Sequence, residues 1–198
     1  FNHHSIFKEH NIYHFQVSNP ELSIEGGDII IFNDKIVLIG ISQRTSLESI
    51  KALLPLIFNN GFEKVFAIDL PKQRNFMHLD TVFTRISDNE CLVYPPLFNN
   101  INNHQIIYSF EKNKDENNSK PIKDNLHTIL QKEGFDMNFI PSGGIVRKNQ
   151  DNELNSLGAN VFALSPGKIV GYLRNSFTIN ELEKNGYSNY SAEVYIKR

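Results

Sequence analysis

The first part of the chain alternates short apolar runs with one longer amphipathic segment. Two β-branched runs, Asp28–Asn33 and Lys35–Ile41, are separated by a short polar turn and predict two strands. A run with helical spacing of its apolar positions follows, at Leu47, Ile50, Leu53, Leu54, Ile57 and Phe58. Lys64–Asp69 predicts the next strand, so the order is strand, strand, helix, strand.

Local signals mark the ends of the predicted helix. Thr45, with Glu48 three residues later, is typical of a capping box at a helix N-terminus. Asn60-Gly61 predicts the stop. Pro55 lies inside the apolar pattern and predicts a kink or an early end, because proline lacks a backbone N–H group.

The same order of elements recurs twice along the chain. The second unit is predicted from strands at Asp80–Ser87 and Glu90–Tyr94, a helix at Ile122–Lys132 stopped by Gly134, and a strand at Asp136–Ile140. The third is predicted from strands at Asn160–Leu164 and Lys168–Leu173, a helix opened by a capping box at residues 178–181 and stopped by Gly186, and a final strand at Ala192–Ile196. The sequence therefore predicts an α/β protein of about three ββαβ units, a single incomplete domain over residues 1–198.

One polar segment interrupts the second unit. Residues 99–125 include the charged stretch 111–120, whose composition is too polar to pack into a core. We expect this segment to be an exposed loop insertion.

Charge and hydropathy narrow the possible partners. The net charge of −2 gives no electrostatic case for nucleic acid or an anionic membrane. The apolar runs are strand-length, far below the roughly 20 residues of a membrane span. A single cysteine, Cys91, excludes an internal disulfide framework and fits a cytoplasmic location. The start at Phe1 resembles neither a signal peptide nor a natural gene start.

Two short motifs carry chemistry-bearing side chains. Residues 25–28 place Glu25 and Asp28 around a glycine pair, immediately before an apolar strand. In an extended stretch, His78 and Asp80 would share one face with Leu79 opposite. An imidazole can transfer protons near neutral pH, and a carboxylate can hold a guanidinium by paired hydrogen bonds. Each motif alone fits a structural role better, as a turn or a packed histidine.

Together these motifs resemble arginine deiminases, members of the guanidine-modifying (pentein) superfamily, and most of all the mycoplasma type. The resemblance extends from Ser23 to Gly186 and rests on residues 24–28, 42–45, 70–72, 77–81, 158–160, 165–167 and 171–175 with Thr178. It implies an α/β propeller of five ββαβ modules, of which this chain would be a partial arc.

The resemblance also implies a reaction and roles for individual residues. Family members hydrolyse L-arginine to L-citrulline and ammonia without metal or organic cofactor, by attack of a cysteine thiolate on the guanidinium carbon. By motif match, Glu25 and Asp80 would bind the guanidinium and His78 would be the general acid and base. Arg44 would clamp the substrate carboxylate. Asp28 has a weaker claim on substrate binding, as support for the glycine turn.

The resemblance fails at the nucleophile. The family carries it in a glycine-rich Arg-Cys segment near the C-terminus, and the last residues here, 194–198, do not match it. Nor does the family's earlier half, with its Phe-Thr-Arg-Asp motif and helical insertion, have a counterpart before Phe1. Cys91 lies in an apolar strand pattern without a basic neighbour, so we expect a structural cysteine. Residues 150–154 also lack the clearer Arg-Glu pair of relatives, which indicates relaxed constraint. We expect no turnover by this chain alone.

Several hypotheses remain open from the sequence. The chain can be part of an arginine deiminase whose missing arcs come from the same polypeptide, a separately encoded half or an oligomer. It can be a truncated or split-gene product without activity, or an interaction module. It can also be another guanidine-modifying enzyme, a methylarginine hydrolase or an amidinotransferase, although Arg44 and residues 77–84 favour free arginine.

Overall fold

The computed structural model describes residues 15–98, 105–114 and 121–193, which form a mixed α/β structure. The helices are α1 (Phe15–Ser18), α2 (Leu47–Asn59), α3 (Pro95–Phe98), α4 (Leu126–Lys132), α5 (Arg147–Asn155) and α6 (Ser176–Lys184). The strands are β1 (Ile29–Ile31), β2 (Ile36–Ile41), β3 (Lys64–Asp69), β4 (Phe83–Arg85), β5 (Glu90–Val93), β6 (Ile107–Glu111), β7 (Pro121–Ile122), β8 (Asn138–Pro141), β9 (Phe162–Ser165) and β10 (Lys168–Val170). The predicted α/β class is confirmed.

The first unit follows the predicted order of elements. β1 pairs antiparallel with β2, and β2 pairs parallel with β3. All of β2 is buried, because α2 packs Ile50, Leu54 and Ile57 against one face of the sheet while the other face contributes to the larger core cluster. The continuous apolar run of β2 is what a strand covered on both faces requires.

The ends of α2 differ in part from the prediction. Its N-cap is Ser46, whose side chain accepts a hydrogen bond from the Ser49 N–H at 3.1 Å, so the capping box at Thr45 was wrong. Pro55 does not end the helix early: α2 continues to Asn59, because Ile57 and Phe58 are buried in its last turn and offset the lost hydrogen bond. Gly61 follows with φ of +99°, as the predicted stop requires.

The second unit repeats the arrangement with a shorter first strand. β4 pairs antiparallel with β5, and β5 pairs parallel with β8. The predicted strand Asp80–Ser87 begins instead with a 3-10 turn, Leu79–Thr81, before β4. The Leu79 N–H donates to the Asp28 carboxylate, and the His78 carbonyl accepts from the Thr81 hydroxyl. These two backbone groups therefore have partners without pairing to a neighbouring strand, and the turn forms.

The segment predicted as a loop at 99–125 contains two strands. β6 pairs antiparallel with β3, β7 pairs with β6, and Ile107 and Phe110 are buried. The charged residues around β6 hid this strand from the sequence pattern. Residues 99–104 and 115–120 of the predicted loop lie outside the described residues.

The third unit is more open than the other two. β9 and β10 form an antiparallel pair by themselves, and every residue of β9 is exposed. α6 begins at Ser176, so the capping box at Thr178 was wrong: the Thr178 hydroxyl donates to Glu153 of α5, a helix that was not predicted. Gly186 ends α6 with φ of +90°. Of the predicted strand at 192–196, Ala192 and Glu193 are helical and the rest lies outside the described residues.

The core joins the first two units. Its largest cluster includes Leu38, Ile68, Leu79, Phe83 and Val93, from both sheets and the turn between them. A smaller cluster lies under α6. Among residues 15–98, 105–114 and 121–193, no helix has the length and apolar character needed to cross a membrane.

Candidate active site

Four of the predicted site residues meet at the junction of the first two units. His78 Nε2 lies 2.5 Å from Glu25 Oε2, and Arg44 Nη1 lies 2.9 Å from Glu25 Oε1. His78 Nδ1, on the other side of the ring, lies 3.9 Å from Asp80 Oδ1. The His78 imidazole thus lies between the carboxylates of Glu25 and Asp80, and the Arg44 guanidinium binds Glu25.

Equivalent turns position Glu25 and His78. Each residue has extended backbone angles and immediately precedes a 3-10 turn, Gly26–Asp28 for Glu25 and Leu79–Thr81 for His78. Arg44 lies in the connection between β2 and α2, and the Glu25 N–H donates to Thr45 Oγ1 at 3.2 Å, which fixes Glu25 against that connection. The site is therefore built on the ends of rigid elements.

Asp28 lies beneath these residues and is fully buried. Its Oδ2 accepts hydrogen bonds from the hydroxyls of Ser42 and Thr45, both at 2.7 Å, and its Oδ1 accepts from the Leu79 N–H at 3.0 Å. The prediction of Asp28 as a substrate-binding residue does not match this geometry, because both oxygens are buried and already accept hydrogen bonds. The contacts fit the supporting role, since Asp28 ties the β2–α2 connection to the turn that follows His78.

Two glycines make room for the cluster. A Cβ atom on Gly27 would lie 2.7 Å from His78 Nδ1 and 2.9 Å from Asp80 Oδ2. A Cβ atom on Gly40 would lie 2.5 Å from Asp28 Oδ1. Only a residue without a side chain allows His78 and Asp80 to approach the backbone this closely.

The two carboxylates beside His78 have opposite electrostatic environments. The hydrogen bond from Arg44, followed by that from His78, holds the pKa of Glu25 below its ordinary value. Burial raises the pKa of Asp80, against the opposing effects of the His78 charge and a side-chain hydrogen bond with Asn160. Glu25 is therefore the firmly ionised partner, and Asp80 is the carboxylate that gains most from a cationic ligand.

Asp80 also has an unused acceptor. Its Oδ1 atom is buried and has no hydrogen-bond partner. Asp80 lies on the wall of a cavity of about 250 Å³ whose other lining residues are Ile30, Ile31, Thr84, Arg85, Asn160, Val161 and Phe162. The Arg85 guanidinium donates to the carbonyls of Phe32, Ser87 and Asp88, so its nitrogens are occupied by backbone. The arrangement offers a half-buried carboxylate with one buried oxygen at the end of a partly apolar space.

Cys91 makes none of the contacts of this cluster. It is the only cysteine in the sequence, it is fully buried in β5, and burial raises its thiol pKa far above the ordinary value. The prediction of a structural cysteine is confirmed. No group of three or more His, Cys, Asp and Glu side chains within the described part of the chain has the geometry of a metal site.

Sequence reasoning missed several supporting residues. Ser42 and Thr45 belong to a motif that was noticed, yet their hydrogen bonds to Asp28 were not foreseen. Glu153, from the segment taken to indicate relaxed constraint, is buried and caps α6 by accepting from the N–H groups of Phe177 and Thr178. Its burial and capping contacts count against relaxed constraint there. Asn160 was noted without a role, because a contact between units leaves no periodic signal.

Comparison with known proteins gives consistent matches. A family model described as arginine deiminase matches residues 1–191. An arginine deiminase of Mycoplasma capricolum subsp. capricolum is 37% identical over 190 residues, covering 94% of this chain and 46% of the relative. Arginine deiminase 1 of Staphylococcus epidermidis is 36% identical over 189 residues, covering 91% and 45%. The chain therefore spans about half the length of the curated relatives it matches.

A solved structure shares the fold. An amidinotransferase from Microseira wollei, of the saxitoxin biosynthetic pathway, matches with a TM-score of 0.55 at 17% identity, covering 88% of this chain and 44% of that one.

Proposed function

Because this chain belongs to the arginine deiminase family, we propose that it supplies the guanidinium-binding and proton-transferring part of an arginine deiminase site. The proposed reaction is hydrolysis of L-arginine to L-citrulline and ammonia, in the cytoplasm and without a cofactor. The observation that carries the proposal is the position of His78, 2.5 Å from Glu25 and 3.9 Å from Asp80.

The carboxylates would hold the substrate cation. Asp80 Oδ1 is buried and lacks a donor, and a guanidinium N–H would satisfy it. Glu25 would accept from a second N–H group. Arg44, now paired with Glu25, has its side chain about half exposed and would exchange that contact for the substrate carboxylate. The exchange would cost little, because a substrate carboxylate matches the guanidinium fork as the Glu25 carboxylate does.

His78 would transfer the protons. Its ring would protonate the leaving ammonia and then deprotonate the attacking water, while ionised Glu25 stabilises the imidazolium form. Neither step needs a metal. Both require a thiolate that first attacks the guanidinium carbon, and Cys91 does not fit that role because it is fully buried in β5 and burial raises the pKa of its thiol.

We therefore propose that this chain alone gives no turnover and acts with a complementary deiminase segment, from the same polypeptide, another chain or an oligomer. Loss of a nucleophile generally reduces turnover about a million-fold. The proposed architecture is a partial α/β propeller of about three ββαβ modules over residues 1–198, with no membrane or nucleic-acid partner. The exposed apolar side chains of Phe162, Leu164 and Val170 in the third unit support a missing neighbour.

A chimera tests the catalytic proposal. The matching segment of the Mycoplasma capricolum arginine deiminase is replaced by this chain, so that the relative supplies the remainder, and citrulline production is measured. We expect citrulline from the chimera and none from its His78→Asn variant. A folded chimera that makes no citrulline, or whose activity survives His78→Asn, would contradict the proposal.

A non-catalytic interaction module is the second candidate. The buried Cys91 and the exposed β9 favour it. It predicts that the chain associates with a partner through the third unit while L-arginine does not bind. L-arginine binding that depends on Asp80 would exclude it.

A further inference from the structure

The connections that carry Arg44 and His78 leave the first sheet side by side. Ile41 and Asp69 are the last residues of the parallel strands β2 and β3, and they lie opposite each other in the register of the sheet. Arg44 belongs to the connection that follows β2, and His78 belongs to the connection that follows β3. A contact between these two connections therefore fixes the two site residues relative to each other.

Lys72 joins the ends of the two strands. Its Nζ atom donates to the Ile41 carbonyl at 2.6 Å and to Asp69 Oδ1 at 2.8 Å. The Ile41 carbonyl also accepts from the Leu70 N–H at 3.0 Å. Pro71 follows Leu70 and has no N–H group, so the backbone cannot continue this pairing at the next residue. The Lys72 ammonium supplies the donor in its place.

A second hydrogen bond runs in the opposite direction and reaches the residue before Arg44. Gln43 Nε2 donates to the Lys72 carbonyl at 3.1 Å. The Arg44 N–H donates to Ser42 Oγ at 3.0 Å, and the Arg44 carbonyl accepts from Ser23 Oγ at 2.8 Å. The backbone at Arg44 is thus held by hydroxyl groups, while the link from Gln43 to Lys72 fixes the direction in which the chain enters it.

We propose that Lys72 is a positioning residue for Arg44: its ammonium keeps residue 72 at the end of β2, and its carbonyl holds Gln43, so that the Arg44 guanidinium is directed at a carboxylate. That carboxylate is Glu25 in this structure. The inference rests on the proposed function for the identity of the other carboxylate, that of a bound L-arginine. The hydrogen bonds of Lys72 do not depend on that identity.

Lys72 acts through the chain and not as a second ligand of the substrate carboxylate. Two of the three N–H groups of its ammonium are occupied by the Ile41 carbonyl and by Asp69. A direct ligand would be insensitive to the loss of the Gln43 amide, whereas a positioning residue requires it. The two roles therefore differ in what a change at Gln43 does.

The test uses the 198-residue chain. Lys72→Met keeps the length of the side chain and removes the ammonium, and Gln43→Met removes the donor at the other end of the link. Lys184→Met is the control, because Lys184 forms an ion pair of the same sequence spacing with Glu181 at 2.7 Å on α6. Calorimetry measures the binding of L-arginine and of agmatine, which is arginine without its carboxylate, and NMR follows the pKa of Glu25.

We expect Lys72→Met and Gln43→Met each to weaken L-arginine binding about fivefold, the order of one net hydrogen bond, and to leave agmatine binding unchanged. The hydrogen bond from Arg44 lowers the pKa of Glu25, so both variants should raise that pKa toward its ordinary value. Lys72→Arg keeps a cation of similar reach and should restore both properties. Lys184→Met should change neither.

The outcomes separate this inference from the proposed function. Equal weakening of both ligands, or unchanged L-arginine binding in either folded variant, would overturn the positioning role. A parent chain that binds agmatine as tightly as L-arginine would also overturn it, and would leave guanidinium binding by the proposed site intact.

A parent chain that binds neither ligand removes the proposed function, and the pKa of Glu25 then decides the inference. A rise of this pKa in Lys72→Met supports the positioning of Arg44, and an unchanged pKa overturns it. If Lys72→Met does not fold, Gln43→Met gives the same readouts and decides in its place.

Discussion

Asp28 and Asp80 both lie at the 3-10 turn Leu79–Thr81, which begins the second unit, and their hydrogen bonding differs. Asp28 is fully buried, and its oxygens accept hydrogen bonds from Ser42, Thr45 and the Leu79 N–H. Asp80 belongs to the turn itself, has 35% of its side chain exposed, and leaves Oδ1 without a partner. One carboxylate is satisfied within the protein, and the other has capacity left for a ligand.

The difference distinguishes acids that stabilise the fold from the acids that we propose to bind a ligand. Glu153 is of the first kind, since its oxygens accept from Phe177 and Thr178 and cap α6. Both oxygens of Glu25 are paired, with Arg44 and with His78, and its side chain is 37% exposed, so we propose that it exchanges these partners for a ligand. A buried, saturated carboxylate stabilises the fold, whereas an unsaturated one costs stability that a cationic ligand would restore.

The largest effect is expected at the structural aspartate. Asp28→Asn places an amide among three hydrogen-bond donors, and we expect the free energy of unfolding to fall by about 3 kcal/mol. Urea denaturation followed by circular dichroism measures the change. Asp34→Asn is the control, because Asp34 is exposed, and it should change the midpoint little. Equal effects of the two variants would contradict a structural role for Asp28.

A second effect is expected where the backbone contacts the site. Gly27→Ala would place a Cβ atom 2.7 Å from His78 Nδ1, so we expect a loss of about 2 kcal/mol from overpacking and loss of L-arginine binding. The neighbouring Gly26→Ala is the control, because nothing lies within 4 Å of its Cβ position, and it should change stability and binding little. Retained binding in a folded Gly27→Ala variant would show that the close approach is not needed.

A smaller effect is expected at the structural glutamate of the third unit. Glu153→Gln turns one of its acceptor positions into a donor facing an N–H group of α6, and we expect a loss of about 1.5 kcal/mol. Glu183 is exposed on α6, so Glu183→Gln is the control and should leave the free energy of unfolding unchanged. L-arginine binding should survive Glu153→Gln. A loss of binding without a loss of stability would place Glu153 with the ligand-binding acids instead.

The smallest change in stability, and of opposite sign, is expected at Asp80. Burial raises its pKa, so ionised Asp80 costs stability, and this cost appears as the pH rises through that raised pKa. Asp80→Asn should therefore stabilise the chain near neutral pH by less than about 1 kcal/mol, with the gain vanishing in acid below the ordinary pKa of aspartate. Thermal melts at several pH values measure it. A clear destabilisation near neutral pH would make Asp80 structural, like Asp28.

The sequence predicted the elements correctly where the apolar pattern of a segment matches the face that it buries. The strand, strand, helix, strand order of the first unit follows from uninterrupted apolar runs and one amphipathic helix. β6 was missed because its alternation is surrounded by charged residues, although its pairing with β3 decides its structure. Ser46 rather than Thr45 caps α2, since Thr45 is used by Asp28, a contact that adjacent residues cannot reveal.

The site was predictable only in part. Glu25, Arg44, His78 and Asp80 were found by their resemblance to a family, and the structure brings them together. Periodicity carries no information on contacts between units, so it could not show that Asp28 lies beneath the site or that Asn160 and Asp80 line the same cavity. The glycine pair was noticed in the sequence, but only the structure shows that His78 and Asp80 lie against Gly27.

The most direct test of the account is titration of the isolated chain with L-arginine, observed by NMR at the Leu79 amide and the His78 ring. Citrulline, which has no positive charge on its side chain, serves as the matched ligand. We predict saturable shifts with L-arginine, none with citrulline, and loss of the response in Asp80→Asn but not in Asp34→Asn. The absence of saturable shifts, or an equal response in Asp80→Asn, would contradict the assignment of this cluster to guanidinium binding.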